Sequence, residues 1–316
     1  MACASIAMLL AMPAPVRAAG AFPSRPITIY APFVAGGPSD IFARAVAGGM
    51  SQALGQPVVV ENRTGAGGNI ATSQFLAAKA DGYTPLIGAS YLVVSPYLYK
   101  NVTYDPLKDF VPVSAPIESH VVFVTNPSAP APNAMLEAAR KTDTPVRLAS
   151  PGAGTFSHLG GVALGLQAKA PMTHVAYRGV GPALTDIMAG HVDLMIDGIS
   201  SSLPFIKAGR VKAVAVPAPT CDPLLPDVPT LAELGHKDLD VQPWNAVFVQ
   251  AAAPADVVDK LRAATAQALA RPDVRKELEE RGLLPTSLAP DVFRQRMKGE
   301  AQHWKGVIQA GNITVD

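Results

Sequence analysis

Residues 27–54 read as a strand, a glycine turn and a helix in immediate succession, which commits the chain to alternating strands and helices. Ile27, Thr28, Ile29, Tyr30 and Ala31 are uncharged and mostly β-branched or aromatic, as in a buried strand. Phe42, Val46 and Met50, with Ala45, Ala53 and Leu54 beside them, recur at the spacing of one helix face. Between the two lies Gly36-Gly37-Pro38-Ser39-Asp40. The glycines permit a sharp turn, Pro38 suits the first helical position, and Ser39 and Asp40 suit the first turn. A helix that starts this way leaves backbone N–H groups unpaired at its positive end, a place that attracts anions. The plainer alternative is an ordinary strand-to-helix turn with good capping.

The pattern recurs down the chain. A strand at 58–61 precedes Gly65-Ala66-Gly67-Gly68-Asn69 and a second helix. A strand at 84–87 contains Pro85, which costs a ladder hydrogen bond unless the strand begins there or lies at an edge. The strand at 146–149 runs into Gly152-Ala153-Gly154-Thr155-Phe156-Ser157-His158, with Thr155 placed as an N-cap. The strand at 173–177 runs into Arg178-Gly179-Val180-Gly181-Pro182-Ala183, a fourth glycine-rich helix start. A strand at 192–196 ends at Asp197-Gly198, and another covers 211–216. These strands form two sets. Strands 121–125 and 246–249 are then expected to be the crossings between two α/β domains with largely parallel sheets, and the C-terminal helices to return to the first domain.

At 316 residues the chain has room for two such domains, each with its own core. Only 16% of residues are charged and the formal net charge is +1, with no basic patch among aromatics, which argues against nucleic acid. The apolar run from Ser5 to Met12, followed by Val16-Arg17-Ala18, fits a signal peptide over residues 1–18, although no Lys or Arg precedes the run. Removal of that segment takes Cys3 with it and leaves Cys221 without a partner for an intramolecular disulfide.

Catalytic and nucleotide motifs fail on inspection. A dinucleotide fingerprint needs Gly-x-Gly-x-x-Gly, but Gly65-Ala66-Gly67, Gly152-Ala153-Gly154 and Gly179-Val180-Gly181 meet Ile70, Ser157 and Leu184 at the third glycine. There is no phosphate loop and no Gly-x-Ser-x-Gly elbow, and the six histidines lack metal-ligand spacing. His174 lies in an apolar strand and reads as a core histidine, whereas His158 reads either as a ligand contact or as first-turn packing. Asp40 most simply balances a helix dipole, and Asp197 follows a strand end, where ligand groups often lie. No cofactor and no metal are expected. Four helix starts on two sheets, converging on a cleft, favour a small anion held mainly by backbone donors.

The ordered segments ITIYAPFVAGGPSDIFAR, GQPVVVENRTGAGGNIA, DGYTPLIGAS, LYKNVTYDPLKDFVPV, GAGTFSHL, HVAYRGVGPALTDIMAGHVDLMID, SSLPFIKAGRVKAVAV and LLPDVPTLAELG resemble the periplasmic solute receptors of tripartite tricarboxylate transporters, the Bug or TctC-type proteins. The resemblance covers almost all of residues 23–316. It implies an α/β, two-domain periplasmic binding protein of type 2, each domain a mostly parallel sheet flanked by helices, with the ligand cleft between them. The domains would be 19–122 with 243–316, and 123–242. The implied ligand is a small carboxylate (a di- or tricarboxylate, an aromatic acid or an amino acid) passed to the membrane subunits of the transporter. Carried over position by position, the contacts would be Gly37, Pro38, Ser39, Asp40, Asn69 and Ser90 from the first domain. From the second they would be Thr155, Ser157, His158, Gly179, Val180, Gly181, Pro182, Ala183 and Asp197. Thr64, Ala176, Pro85 and Gly198 depart from the family's usual residues near the cleft, and Trp244-Asn245 departs from the family's usual run at its own position. A monomeric, non-enzymatic periplasmic receptor is expected. The alternatives are a receptor that reports to a membrane sensor kinase and, from another class, an exported hydrolase or isomerase.

Overall fold

The computed structural model describes residues 22–237, 239 and 241–315, so the signal sequence expected over residues 1–18 lies outside the described residues. The first apolar run forms β1 (Ile27–Ala31), with Ile27, Ile29 and Ala31 fully buried at alternate positions. Its turn leads into α1 (Pro38–Leu54), where the proline occupies the opening turn and its missing N–H costs no helical bond. Gly55, in the left-handed conformation at φ 65°, ends the helix and donates its N–H to Ser51. β2 (Val58–Asn62) and, after α2 (Asn69–Ala77), β3 (Leu86–Ala89) lie parallel on either side of β1. Pro85 stands just outside β3, where its carbonyl accepts the Tyr30 N–H at 2.8 Å and no ladder donor is missed.

The chain continues through α3 (Tyr91–Leu98), β4 (Phe110–Pro112), β5 (Ile117–Ser119), β6 (Val121–Thr125), α4 (Pro132–Thr142), β7 (Val146–Ser150) and α5 (Phe156–Ala168). Next come β8 (Met172–Ala176), α6 (Val180–Ala189), β9 (Leu194–Gly198), α7 (Ile199–Lys207) and β10 (Lys212–Ala215). The last elements are β11 (Trp244–Gln250), α8 (Ala255–Ala270), α9 (Pro272–Glu279), β12 (Leu283–Pro285) and α10 (Pro290–Ala310). One sheet has the order β12-β5-β11-β3-β1-β2, with β4 also on β11; the other has the order β10-β6-β9-β7-β8.

Among the described strands of the two sheets, parallel pairing is confined to β3-β1-β2 and β9-β7-β8, so both sheets are mixed rather than mostly parallel. The cause lies in β6 and β11. Each arrives from the other sheet with no helix to carry the chain back to the same end, and each enters antiparallel to its neighbours. Both strands lie within a sheet, and the passages between sheets are the residues just before them. These passages run side by side: the Ser119 N–H donates to Pro243 at 2.8 Å. The His120 N–H donates to Gly282 beside the first sheet, and its carbonyl accepts the Ile199 N–H from the second, each at 2.8 Å.

Among the described residues, three apolar cores hold this frame. α1 and α8 bury Phe42, Val46, Met50 and Leu261 on one face of the first sheet. Val122, Ile187 and Ile199 form the outer core of the second. The largest core joins the two halves, with Phe75, Tyr91 and Phe248 continuous with Leu159 and Ile196. α8 and α9 pack on α1 as expected of C-terminal helices returning to the first half, but α10 packs on both α3 and α5. Its Phe293 is fully buried edge-on to Trp244, ring centroids 4.9 Å apart.

Candidate ligand-binding cleft

Between the sheets, the starts of α1, α3, α5 and α6 close around one cavity. Gly37, Pro38 and Ser39 come from the first helix start, Ser90 from the second, Thr155 from the third and Val180 from the fourth. None of these helices carries a side-chain cap, so their first-turn N–H groups and positive ends are left for a ligand or for water. The cavity has about 40 Å³ of room for the centre of a water-sized sphere. One water needs roughly 10–15 Å³ on that measure, so the space holds a small group in this closed arrangement.

Two hydroxyls on this wall, those of Ser39 and Thr155, are already engaged. Ser39 donates to the Asn245 Oδ1 at 2.5 Å, and the Asn245 Nδ2 donates to Ser119 Oγ at 3.3 Å, tying the start of α1 to both chain passages. Thr155 donates to the Gly152 carbonyl at 2.7 Å. Backbone N–H groups at the helix starts are further donors toward the cavity.

Glycines set how closely the halves approach. A Cβ at Gly179 would stand 2.1 Å from Val34 Cγ2, and one at Gly198 2.7 Å from Pro38 Cγ. A side chain at either position would hold the halves apart. The unusual glycine after Asp197 thus has a packing reason.

The other residues proposed from sequence surround the cavity without lining it. Asp40 is 4% exposed and accepts the Gly36 N–H at 3.0 Å, Arg44 Nε at 3.0 Å and Asn62 Nδ2 at 2.9 Å. Burial alone would raise its pKa, but these hydrogen bonds hold the carboxyl below the usual range. Its position braces the turn that presents Gly37 and Ser39. Asn69 donates to the Ala66 carbonyl at 2.8 Å and accepts from the Tyr104 hydroxyl at 3.3 Å. The start of α2 does not reach the cavity. Gly68 packs on the Tyr91 ring instead, and a Cβ at Gly67 would meet the Ala153 carbonyl at 2.4 Å.

Ser157 points inward and donates to the Ile196 carbonyl. His158 stacks on His174, centroids 3.6 Å apart and planes 10° from parallel, and its Nδ1 accepts the Gly154 N–H at 3.2 Å. Burial, with His174 alongside, pushes its pKa down to about 3, and burial pushes His174 down to about 4. Both rings are neutral near pH 7. His174 Nε2 lies 2.6 Å from Ser150 Oγ, so the pair supports the 150–154 loop from below. Gly179 meets Val34, Gly181 and Pro182 are exposed on α6, and Ala183 is core. Asp197 is fully buried and accepts from Ser201 at 2.7 Å and from Ser202. Burial pushes its pKa up to about 6, against the lowering effect of those hydroxyls.

Several lining residues escaped the sequence reading: Phe33, Tyr91, Phe156 and Trp244 among them, with Asn245. Phe33 and Phe156 flank glycine-rich turns already singled out, which was an available signal. Trp244 and Asn245 arrive from a strand more than 200 positions after the start of α1, and no local pattern reports that. Among the described residues, no cluster of three or more His, Cys, Asp or Glu could hold a metal ion, and no helix is long and apolar enough to cross a membrane.

Residues 42–313 match the family model described as the tripartite tricarboxylate transporter family receptor. A protein from the tcbD-tcbE intergenic region of Pseudomonas sp. (strain P51) is 40% identical over 291 residues, 91% of this chain and 87% of that one. Among solved structures, the periplasmic binding protein BugD superposes with a TM-score of 0.87 at 32% identity, covering 93% of this chain and 99% of BugD. MatC from Rhodopseudomonas palustris, with bound malate, superposes with a TM-score of 0.84 at 34% identity, covering 91% of this chain and 100% of MatC.

Proposed function

Because this chain belongs to the tripartite tricarboxylate transporter receptor family, whose members are solute receptors rather than enzymes, we propose that it is an exported, monomeric, non-enzymatic receptor for a small carboxylate. It binds the acid between two lobes, residues 19–122 with 243–316 and residues 123–242, in the periplasm. It then presents the acid to the membrane subunits of a tripartite tricarboxylate-type permease.

The observation that carries this reading is the meeting of four uncapped helix starts, from both sheets, at one cavity. Each offers backbone donors and part of a positive charge, typically worth about 0.3–1 kcal/mol to an anion. Because the donors come from both lobes, the ligand favours the closed arrangement over the open one, and differential contact of this kind drives closure. BugD is a periplasmic binding protein and MatC holds malate on the same fold, which supports both the compartment and the ligand class.

A thermal-shift screen of denatured and refolded protein against mono-, di- and tricarboxylates and amino acids tests the reading. A ligand at a hundred times its Kd stabilises by about 2.7 kcal/mol, a shift of several degrees. Stabilisation by at least one carboxylate is expected. A screen with no shift from any acid would remove the receptor reading.

A further inference from the structure

We propose that Glu300, on α10 behind the cavity, takes up a proton when the carboxylate binds, and that Ser90 carries the effect to the ligand. The proposal rests on the receptor reading above and adds how that site responds to pH. Two residues that line the cavity, Trp244 and Ser90, reach back to this one carboxylate. The Trp244 Nε1 donates to Glu300 Oε2, and the Trp304 Nε1 donates to Oε1 at 3.2 Å. The Ser90 side chain is the third hydrogen-bond partner of Glu300, and among the described residues its buried oxygen has no other.

All three donors are neutral. Arg296, one turn earlier on α10, is the cation whose charge acts on Glu300, and it is itself paired with Glu118 and bonded to the Gln242 carbonyl. α3 and α5, which pack on α10, contain no Asp, Glu, Lys or Arg; their titratable groups are Tyr91, Tyr97 and His158. Burial pushes the Glu300 carboxyl above its ordinary range, against the lowering effect of the three donors and of Arg296. A serine has one O–H to give and lone pairs to receive. An ionised Glu300 only accepts, so Ser90 turns its O–H to Glu300 and leaves lone pairs toward the cavity, where they oppose an anion. A protonated Glu300 has an O–H of its own for Ser90 Oγ, which frees the Ser90 O–H for the bound acid. A second negative charge nearby also disfavours ionisation, so the acid and the proton, which comes from solvent, favour each other's binding.

Calorimetric titration from about pH 6.5 to about pH 9 tests this, since carboxylic acids stay ionised over that range. The probe is whichever of malate, adipate, succinate and benzoate gives the largest thermal shift. Wild-type affinity should fall as the pH rises, by up to about tenfold per pH unit, the limit for one linked proton. Titrations in phosphate and in Tris, which differ in ionisation enthalpy, should show uptake of up to about one proton per acid bound. Glu300→Gln should lose both the pH dependence and the proton uptake. Ser90→Ala should bind more weakly at the acid end and show a shallower dependence. Asp197, another raised carboxyl at about 6, would keep its influence in Glu300→Gln. Flat wild-type affinity without proton uptake, or a dependence that persists in Glu300→Gln, would overturn the inference and leave the receptor reading standing. A dependence unchanged in Ser90→Ala would overturn the route through Ser90. Failure of every acid to bind, amino acids included, would overturn the receptor reading itself.

Discussion

Replacing His158 with asparagine should flatten the acid side of the stability profile. In the folded chain burial pushes His158 down to about 3, whereas in the unfolded chain it titrates near its ordinary value of about 6.5. The unfolded state therefore binds the extra proton first as the pH falls. The stabilisation from a depressed histidine is fully present above pH 6.5 and is lost progressively toward the folded pKa. Between pH 7 and pH 5 an unfolded histidine goes from mostly neutral to almost fully protonated, while the buried one stays neutral. The difference is about 2 kcal/mol, a substantial part of a typical stability of about 5–15 kcal/mol. His174, pushed to about 4, adds a loss of the same sign. Asp197, pushed up to about 6, opposes it, because its folded form takes up a proton that the unfolded form does not. Asparagine keeps an acceptor near the position of the Nδ1 that receives the Gly154 N–H, but it does not titrate. Urea unfolding at pH 7, 6 and 5, followed by the fluorescence of Trp244 and Trp304, reads the result. Wild type should lose about 2 kcal/mol more than the variant over this range. Equal losses in the two proteins would refute the assignment of His158 as a buried neutral ring.

Two further substitutions probe closure and the shared core. Gly198→Ala keeps an ordinary backbone (φ −64°), but its Cβ would press on Pro38 across the cleft. Ligand affinity should fall at least tenfold, with stability in the absence of ligand changed by no more than about 0.5 kcal/mol; unchanged affinity by calorimetry counts against the contact. Phe293→Ala removes a fully buried ring from α10, at the core that joins the two halves, and should cost about 3–5 kcal/mol by chemical denaturation. A loss below about 1 kcal/mol would mean that α10 does not hold the halves together.

The local units were legible because their causes are local. The alternation of Ile27, Ile29 and Ala31, the proline opening α1 and the glycine closing it all act within a few residues of each other. Strand direction is a different matter. It depends on where the chain re-enters a sheet, and nothing in the composition of 121–125 or 244–250 marks them as antiparallel. The same limit applies to the cleft. Every glycine-rich start looked alike in sequence, yet α2 is turned away and the start of α3, with Ser90 and Tyr91, takes its place at the cavity. Buried polar residues are subject to the same limit. Ser157, His158 and Asp197 have the chemistry of ligand contacts, but each is engaged within the protein, with a backbone carbonyl, a backbone N–H and the α7 hydroxyls respectively. Phe33, Phe156 and Trp244, to which the sequence assigns no role, line the cavity. The order of eight motifs carried the family assignment, and the match over residues 42–313 agrees with it.

The central claim is that a carboxylate binds between the lobes, at the starts of α1 and α5. Calorimetric titration of wild type and Thr155→Phe with the best acid from the screen tests it most directly, with the unfolding midpoint of each protein measured alongside. Thr155 lines the cavity and is 4% exposed, so a phenyl ring there occupies the space proposed for the ligand. The account predicts one-to-one binding to wild type and a loss of at least a hundredfold in the variant, with the variant still folded. Equal affinity in the two proteins would place the ligand elsewhere and contradict the account.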